Sequence, residues 1–439
     1  MIEHKRISGR TAPAIAASLE RQLLSGRLPP GEALPTVREL ATRLRVSPAT
    51  VSSAYKQLKT RGLTSGLGRQ GTRVAPRSEA PGATQAQAVS PGTVDLATGN
   101  PDPALLPPLE PALRAVGVGH TLYGDAAAER ALLAFAASEF EADGVPAGAL
   151  AVLGGALDAV ERVLRECLRA GDRVALEDPS YPGVADLVTA SGLVPAPFAV
   201  DEQGPLPEPF EDAVRRSRAV IVTPRAQNPT GAAIGTERAE QLRRLLRRHR
   251  DVVLIENDYA APIAGAPACT LTDAAPAAWA VIRSTSKFLG PDLRVALAAG
   301  DDLTIGRIVG RQALGTRWVS HVLQRLALAL WSDPAGGRRL ARAAEIYVHR
   351  RSALLSALAA RSIPAHGRSG FNVWVPVRDE HTVVRALAER GWAVAAGARF
   401  RLQAPPAIRV TTSTLPPADA ERFAADLAAA LRPAAAAFA

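Results

Sequence analysis

The chain has 439 residues, 47% of them hydrophobic and 21% charged, with a formal net charge of +10. That balance predicts a soluble globular protein with two or three cores. No apolar window approaches the length of a membrane span, and the polar start Met1-Ile2-Glu3-His4-Lys5-Arg6 argues against a secretory leader. Two cysteines, Cys167 and Cys269, make no disulfide framework and lack metal-ligand spacing, so a reducing cytoplasm is the expected compartment.

The charge is unevenly placed. Residues 1–75 hold 13 Lys+Arg against 4 Asp+Glu, whereas the remainder holds 39 against 38. A basic head on a nearly neutral body points to a polyanion partner. Within the head, Ile15, Leu19 and Leu23 recur at helical spacing and predict a helix over 11–25, ended by Gly26. The following run, 28–35, is too rich in proline for a helix interior. Thr36 with Glu39 forms a capping-box signature for a short helix to about Leu44. Val46 and Ser47 make a turn, Pro48 suits a first helical position, and Val51, Tyr55 and Leu58 line one face of a third helix ending near Gly62. Residues 63–74 read as a glycine-punctuated hairpin, completing a helix-turn-helix with a wing.

The segments Pro30-Gly31-Glu32-Ala33-Leu34-Pro35-Thr36-Val37-Arg38-Glu39-Leu40-Ala41, Val46-Ser47-Pro48-Ala49-Thr50-Val51 and Gly71-Thr72-Arg73-Val74 resemble the winged helix-turn-helix of GntR-family transcription regulators over residues 10–75. The resemblance implies DNA contacts from Arg38, from Ser47, Thr50 and Ser52 at the start of the recognition helix, and from the wing between Arg69 and Gly71. Pro48 stands where many relatives carry arginine, so one familiar contact is missing and the operator sequence stays open. Lys56, Lys59 and Arg61 either touch phosphates or form a solvated helix face.

Residues 76–92 are rich in Pro, Ala, Gln and Gly without apolar periodicity and read as a linker. Beyond it, short apolar runs at 149–153, 173–177, 219–223, 252–256 and 280–284 alternate with helical stretches such as 156–169 and 236–249. Alternation of this kind predicts an α/β domain with a mostly parallel sheet, whose ligands bind at the strands' carboxyl ends. A long helix over 337–360 and strands at 372–377 and 408–412 suggest a smaller α+β domain.

Lys287 is the only lysine after residue 59. Arginine stays protonated near neutral pH, whereas a shielded lysine can act as an amine nucleophile and form a Schiff base. Around it stand the Gly154-Gly155-Ala156 turn into a helix, which suits a phosphate, and Asn228-Pro229-Thr230-Gly231, with an amide for a ring hydroxyl. Each of these, taken alone, could be a plain turn. Glu256-Asn257-Asp258-Tyr259 adds an acid and a phenol. Ser284 and Ser286 offer hydroxyls, Arg294 can pair with phosphate bidentately, and Tyr181 can stack on a flat heterocycle. Together they describe a site for pyridoxal 5′-phosphate (PLP).

From about Asp95 onward these loops resemble the fold-type I PLP-dependent aminotransferases. The resemblance implies that Lys287 carries the Schiff base, Asn228 and Tyr259 bond the ring hydroxyl and Tyr181 stacks on the ring. It assigns the phosphate to Gly155, Ala156, Ser284, Ser286 and Arg294, and a ligand carboxylate to Arg409. Tyr123 would reach across a dimer interface. Relatives place an aspartate against the pyridine nitrogen where this chain has Asn257. Either the register slips and Asp258 takes that role, or the ring is a poorer electron sink.

A GntR-type head on an aminotransferase-like body is similar to the MocR subfamily of regulators. The expected fold is an α+β winged helix-turn-helix (1–75), a linker (76–92), an α/β PLP-binding domain (93–330) and a small α+β C-terminal domain (331–439). The implied function is a homodimeric regulator, paired head to tail, that binds a double-stranded DNA operator and senses PLP or an amino compound. The competing reading is a working aminotransferase with an accessory DNA-binding head.

Overall fold

Thr36 and Glu39 close the capping box: the Thr36 N–H donates to Glu39 Oε2 at 2.9 Å and the Glu39 N–H to Thr36 Oγ1 at 3.3 Å. Two of the orphan N–H groups of the helix start are thereby satisfied. The computed structural model describes residues 7–25, 27–29, 31–60, 63–66, 71–74, 92–117, 119–274 and 276–432. Its head contains α1 (Ala12–Leu24), α2 (Val37–Leu44), α3 (Pro48–Thr60) and an antiparallel hairpin of β1 (Thr64–Gly66) and β2 (Thr72–Val74). Arg45, in the left-handed region at φ 55°, ends α2, and Ser47 Oγ accepts the Thr50 N–H at 3.1 Å to start α3. Ile15, Leu19, Leu40, Val51, Tyr55 and Leu58 are buried together, as the helical spacing predicts. The Tyr55 hydroxyl donates to the Pro35 carbonyl at 2.7 Å, fixing the proline-rich approach to α2.

The body opens with β3 (Val94–Leu96), a strand the sequence reading did not contain. Its large sheet has eight strands: β4 (Ala149–Leu153), β5 (Arg173–Asp178), β6 (Val194–Asp201), β7 (Gly204–Pro205), β8 (Ala219–Val222), β9 (Val253–Asn257), β10 (Trp279–Ser284) and β11 (Ala296–Gly300). They lie in the order β4-β11-β10-β9-β8-β5-β6-β7. The run β10-β9-β8-β5-β6 is parallel, and β11 opposes both β10 and β4. It follows that β4 points the same way as β10, so β4, β5, β8, β9 and β10 all end at one edge. The central strands are buried along their length, which is why they read as unbroken apolar runs instead of alternating ones.

The smaller sheet contains β12 (Asn372–Pro376), β13 (Trp392–Ala396), β14 (Ala407–Thr411) and β3, in the order β12-β14-β13-β3. β3 runs parallel to β13, pairing Val94 with Trp392 and Leu96 with Val394. The first body residues therefore belong to the C-terminal sheet, whose core gathers Leu96, Leu354, Trp392, Phe423 and Leu427. The long helix Pro334–Ala359 supplies Leu354 to that core and Tyr347 to the core of the large sheet. Among the described residues no helix is long and apolar enough to cross a membrane.

The loop after β8 is locked to the small sheet at Gly231. The Ser369 N–H donates to the Gly231 carbonyl at 2.7 Å, and Gly231 has φ +68°. A Cβ there would press on the Asn372 carbonyl and lie 3.0 Å from the Gly367 Cα, both backbone atoms. Gly231→Ala is expected to cost about 1–3 kcal/mol, from the left-handed backbone and the clash together. Urea unfolding should show this as a lower midpoint at unchanged m-value.

Candidate functional site

The carboxyl ends of β5, β8, β9 and β10 open on a cleft of about 310 Å³. Its wall includes Ala156, Tyr181, Asn228, Asn257, Tyr259, Ser284, Ser286, Lys287, Arg294 and Arg409. Residues from five separate loops are thus brought to one place, as expected for a sheet that binds ligand at its strand ends.

The anion-binding end is built around Gly155. This residue is the N-cap of the helix Ala156–Cys167, so the first N–H groups of that helix face the cleft beside Ala156. Gly155 has φ 121°, and a Cβ on it would fall 2.5 Å from Arg294 Nη2. Gly155 is therefore required by Arg294, which donates to the Gly154 carbonyl at 3.0 Å and remains exposed. Ser284 Oγ donates to Ser286 Oγ at 3.0 Å on the same wall. Two hydroxyls, a guanidinium and a helix N-terminus are the donor set that a phosphate could use.

Lys287 is only half-buried at its surface, yet its amine is enclosed, and its Nζ donates to the Gly99 carbonyl at 2.8 Å. Burial, with the Arg409 guanidinium nearby, pushes its pKa down to about 8. Arg409 on β14 is buried, and desolvation pushes it down to about 10. Its Nη1 donates to Asn228 Oδ1 at 3.0 Å, its Nη2 donates to the Ala97 carbonyl, and its guanidinium lies 4.7 Å from the Phe400 ring centroid. The Tyr259 hydroxyl donates to the Ala226 carbonyl at 2.5 Å, and burial raises its pKa.

Asn257 and Asp258 part company. Asn257 ends β9 in the cleft wall, buried, with its Oδ1 lacking any hydrogen-bond partner. Asp258 takes no part in that wall. Its carboxylate accepts from Arg225 Nε and Nη2, both at 2.8 Å, and from Arg283 Nε at 3.1 Å, and Asp143 completes the cluster. Burial alone would raise the Asp258 pKa, but the two guanidiniums outweigh it and hold the carboxyl below its ordinary range. The Asp258 N–H donates to the Ile282 carbonyl, which fixes the register. The structure thus places Asn257 in the cleft wall and Asp258 among the arginines outside it. Glu256 also faces elsewhere, accepting from Thr270 and Leu271.

Tyr123 lies outside this wall. It is 79% exposed and packs edge-on against Trp318 at 5.6 Å. On the head, Arg38, Ser47 and Ser52 are exposed and Thr50 is half-buried, with Ser47 Oγ 2.8 Å from Thr50 Oγ1. Gly71 is exposed with φ 83°, and Arg69 lies outside the described residues.

Two parts of the wall escaped the sequence reading. Residues Ala97 to Asn100, just after β3, form a strap whose backbone meets Lys287 at the Gly99 carbonyl and Arg409 at the Ala97 carbonyl, with Thr98, Gly99 and Asn100 in the wall. The Gly99-Asn100-Pro101 turn signal was visible, but its placement depends on a three-residue strand. The second is Glu177 at the end of β5, the one carboxylate in the wall. Burial pushes it up to about 7, against the opposing Thr223 N–H at 2.9 Å and the Gln227 amide at 3.1 Å.

These residues fit PLP: an enclosed amine of lowered pKa, a donor set suited to phosphate, the Tyr181 ring in the wall, and an unsatisfied buried polar atom at Asn257. Residues 95–427 match the family model for aminotransferase class I and II, and residues 11–74 match that for the gntR family of bacterial regulatory proteins. The vitamin B6 salvage pathway transcriptional repressor PtsJ of Salmonella typhimurium is 39% identical over 97% of this chain and 99% of its own length. The pyridoxine biosynthesis transcriptional regulator PdxR of Corynebacterium glutamicum is 25% identical over 87% of each chain. The body shares its fold with the α-aminoadipate aminotransferase LysN of Thermus thermophilus, at TM-score 0.68 and 24% identity over 78% of this chain and 93% of that one. The chain therefore belongs to the MocR subfamily of GntR-type regulators: a PLP-binding, DNA-binding transcription regulator with a fold-type I aminotransferase body.

Proposed function

We propose that this regulator responds to PLP itself and controls genes of vitamin B6 supply from the cytoplasm, as a head-to-tail homodimer on a double-stranded operator. The observation that carries the reading is the full-length likeness to a vitamin B6 salvage repressor, combined with an amine poised for an aldehyde. When bound, PLP supplies an electrophilic carbonyl carbon. Lys287 supplies the neutral amine, Arg294 and the Gly155–Ala156 helix start bind the phosphate, and Tyr181 covers the ring. The exposed Tyr123 suits a surface completed by a second copy.

The strap gives ligand occupancy a route outward. Gly99 and Ala97 hold Lys287 and Arg409 through their carbonyls, and a ligand that takes over those two groups must release them. The strap follows β3, the strand that begins the body immediately after the predicted linker. A ligand that binds one arrangement better than the other shifts the population toward it. Arg409 beside Lys287 also favours a second reading, in which an amino acid is the effector or substrate. Steady multiple turnover of an amino acid to its keto acid would support that reading and sink pure sensing.

Three outcomes follow. The loaded protein should show a visible absorbance band that Lys287→Ala abolishes. Because the neutral amine is the nucleophile, capture of PLP by the free protein should quicken as pH rises and level off above a midpoint near 8. Stopped-flow rates that climb unchecked to pH 10 would mean the amine is not depressed. Arg38→Ala should weaken operator binding by about 1–3 kcal/mol in gel shift, and a lowered salt slope (by about 1) would mark it as a phosphate contact.

A further inference from the structure

We infer that this chain holds the pyridine nitrogen of its cofactor unprotonated, with the Asn257 amide as hydrogen-bond donor to it. The inference rests on the cofactor reading above and concerns the state of the ring rather than its presence. In PLP the nitrogen lies para to the ring carbon that carries the aldehyde Lys287 would capture. Lys287 would hold that aldehyde carbon, and Arg294 and the helix start would hold the phosphate. Asn228, Tyr259 and Arg409 are tied to each other or to backbone carbonyls. The buried polar side chains left in the wall are Glu177, Ser180 and Asn257, and of these only Asn257 has a buried oxygen without a partner. Both oxygens of Glu177 are already accepting, from the Thr223 N–H and the Gln227 amide. Asn257 is uncommitted: its buried Oδ1 has no partner, and a half-turn of the side chain exchanges the oxygen with the NH2 donor, so either end of the amide can face the ring.

Charge then decides the protonation state. A pyridinium opposite a neutral amide would be a buried charge without a counter-ion, which is costly. With Lys287 taken up by the aldehyde and Arg294 by the phosphate, Arg409 is left as a buried cation of the same wall, and its field opposes another positive charge. The nearest alternative counter-ion in sequence, Asp258, is held at 2% exposure by Arg225 and Arg283. The neutral ring is therefore the stable form, and the amide meets it as donor. A neutral ring draws electrons weakly from the carbon attached to it. Capture by the lysine amine is preserved, while chemistry that needs a strong electron sink is suppressed.

The test is the ¹⁵N chemical shift of ring-labelled PLP bound to the full-length protein. Free cofactor titrated on both sides of its ring pKa calibrates the two positions. The wild type should sit at the unprotonated position, and Asn257→Asp should move the signal to the protonated one. Asn257→Ala removes the donor without adding charge, so its signal should stay unprotonated while PLP affinity falls. Wild-type protein at the protonated position overturns the inference, whatever the variants do. The same samples carry a control for the underlying reading. A visible band that depends on Lys287 together with a protonated ring overturns this inference alone. The absence of any such band overturns the cofactor reading and this inference with it.

Discussion

Three cations, Lys287, Arg294 and Arg409, share one cleft whose wall contains a single carboxylate, and burial pushes that carboxylate toward its neutral form. This excess of positive charge at low dielectric is the constraint from which the rest of the site follows. Added to burial, which is the larger cause, its Arg409 part lowers the lysine pKa to about 8. It makes an anionic, phosphate-bearing ligand the favoured occupant. Backbone carbonyls of the strap, at Gly99 and Ala97, accept from Lys287 and Arg409.

The sheet delivers these groups, and the small sheet completes them. Lys287, Asn257, Glu177 and Asn228 come from successive strand ends, whereas Arg409 comes from β14 and the strap from β3, both in the four-stranded sheet. A ligand that engages both sets bridges the two sheets. The buried cluster of Asp258, Arg225, Arg283 and Asp143 lies behind β9 and fixes its end, so that the amide of Asn257, and not the neighbouring carboxylate, meets the cleft. The solved aminotransferases share this fold, and at the end of β9 this chain turns an amide, with no carboxylate, to the cleft.

Much of this was legible in the residues. The capping box at Thr36 and Glu39, the run of apolar strands and the solitary Lys287 are local signals, and each carried to its place in the structure. What escaped was set by pairing at long range. β3 is three residues long and gains its identity only from β13, almost three hundred residues later, so no local signal tells that Ala97 to Asn100 lie against the site. β11, Ala296–Gly300, is too rich in alanine and glycine to announce a strand, and burial between β4 and β10 decides it. Glu177 was visible in Glu177-Asp178-Pro179-Ser180-Tyr181, but its burial depends on the neighbouring β8 and on Gln227. The choice between Asn257 and Asp258 could not be read from spacing, because it rests on two arginines drawn from β10 and from the loop after β8.

The most direct test of a PLP sensor is the linkage between its two ligands. Fluorescence anisotropy of DNA from the region upstream of the regulator's own gene can be followed with and without saturating PLP. The wild type should change its DNA affinity by a factor of about 5–150, and DNA should change PLP affinity by the same factor, because binding linkage is reciprocal. Lys287→Ala should bind the same DNA with an affinity that PLP does not alter. Sequence-selective binding by the wild type that is identical with and without PLP would contradict the claim that this cleft reports to the head.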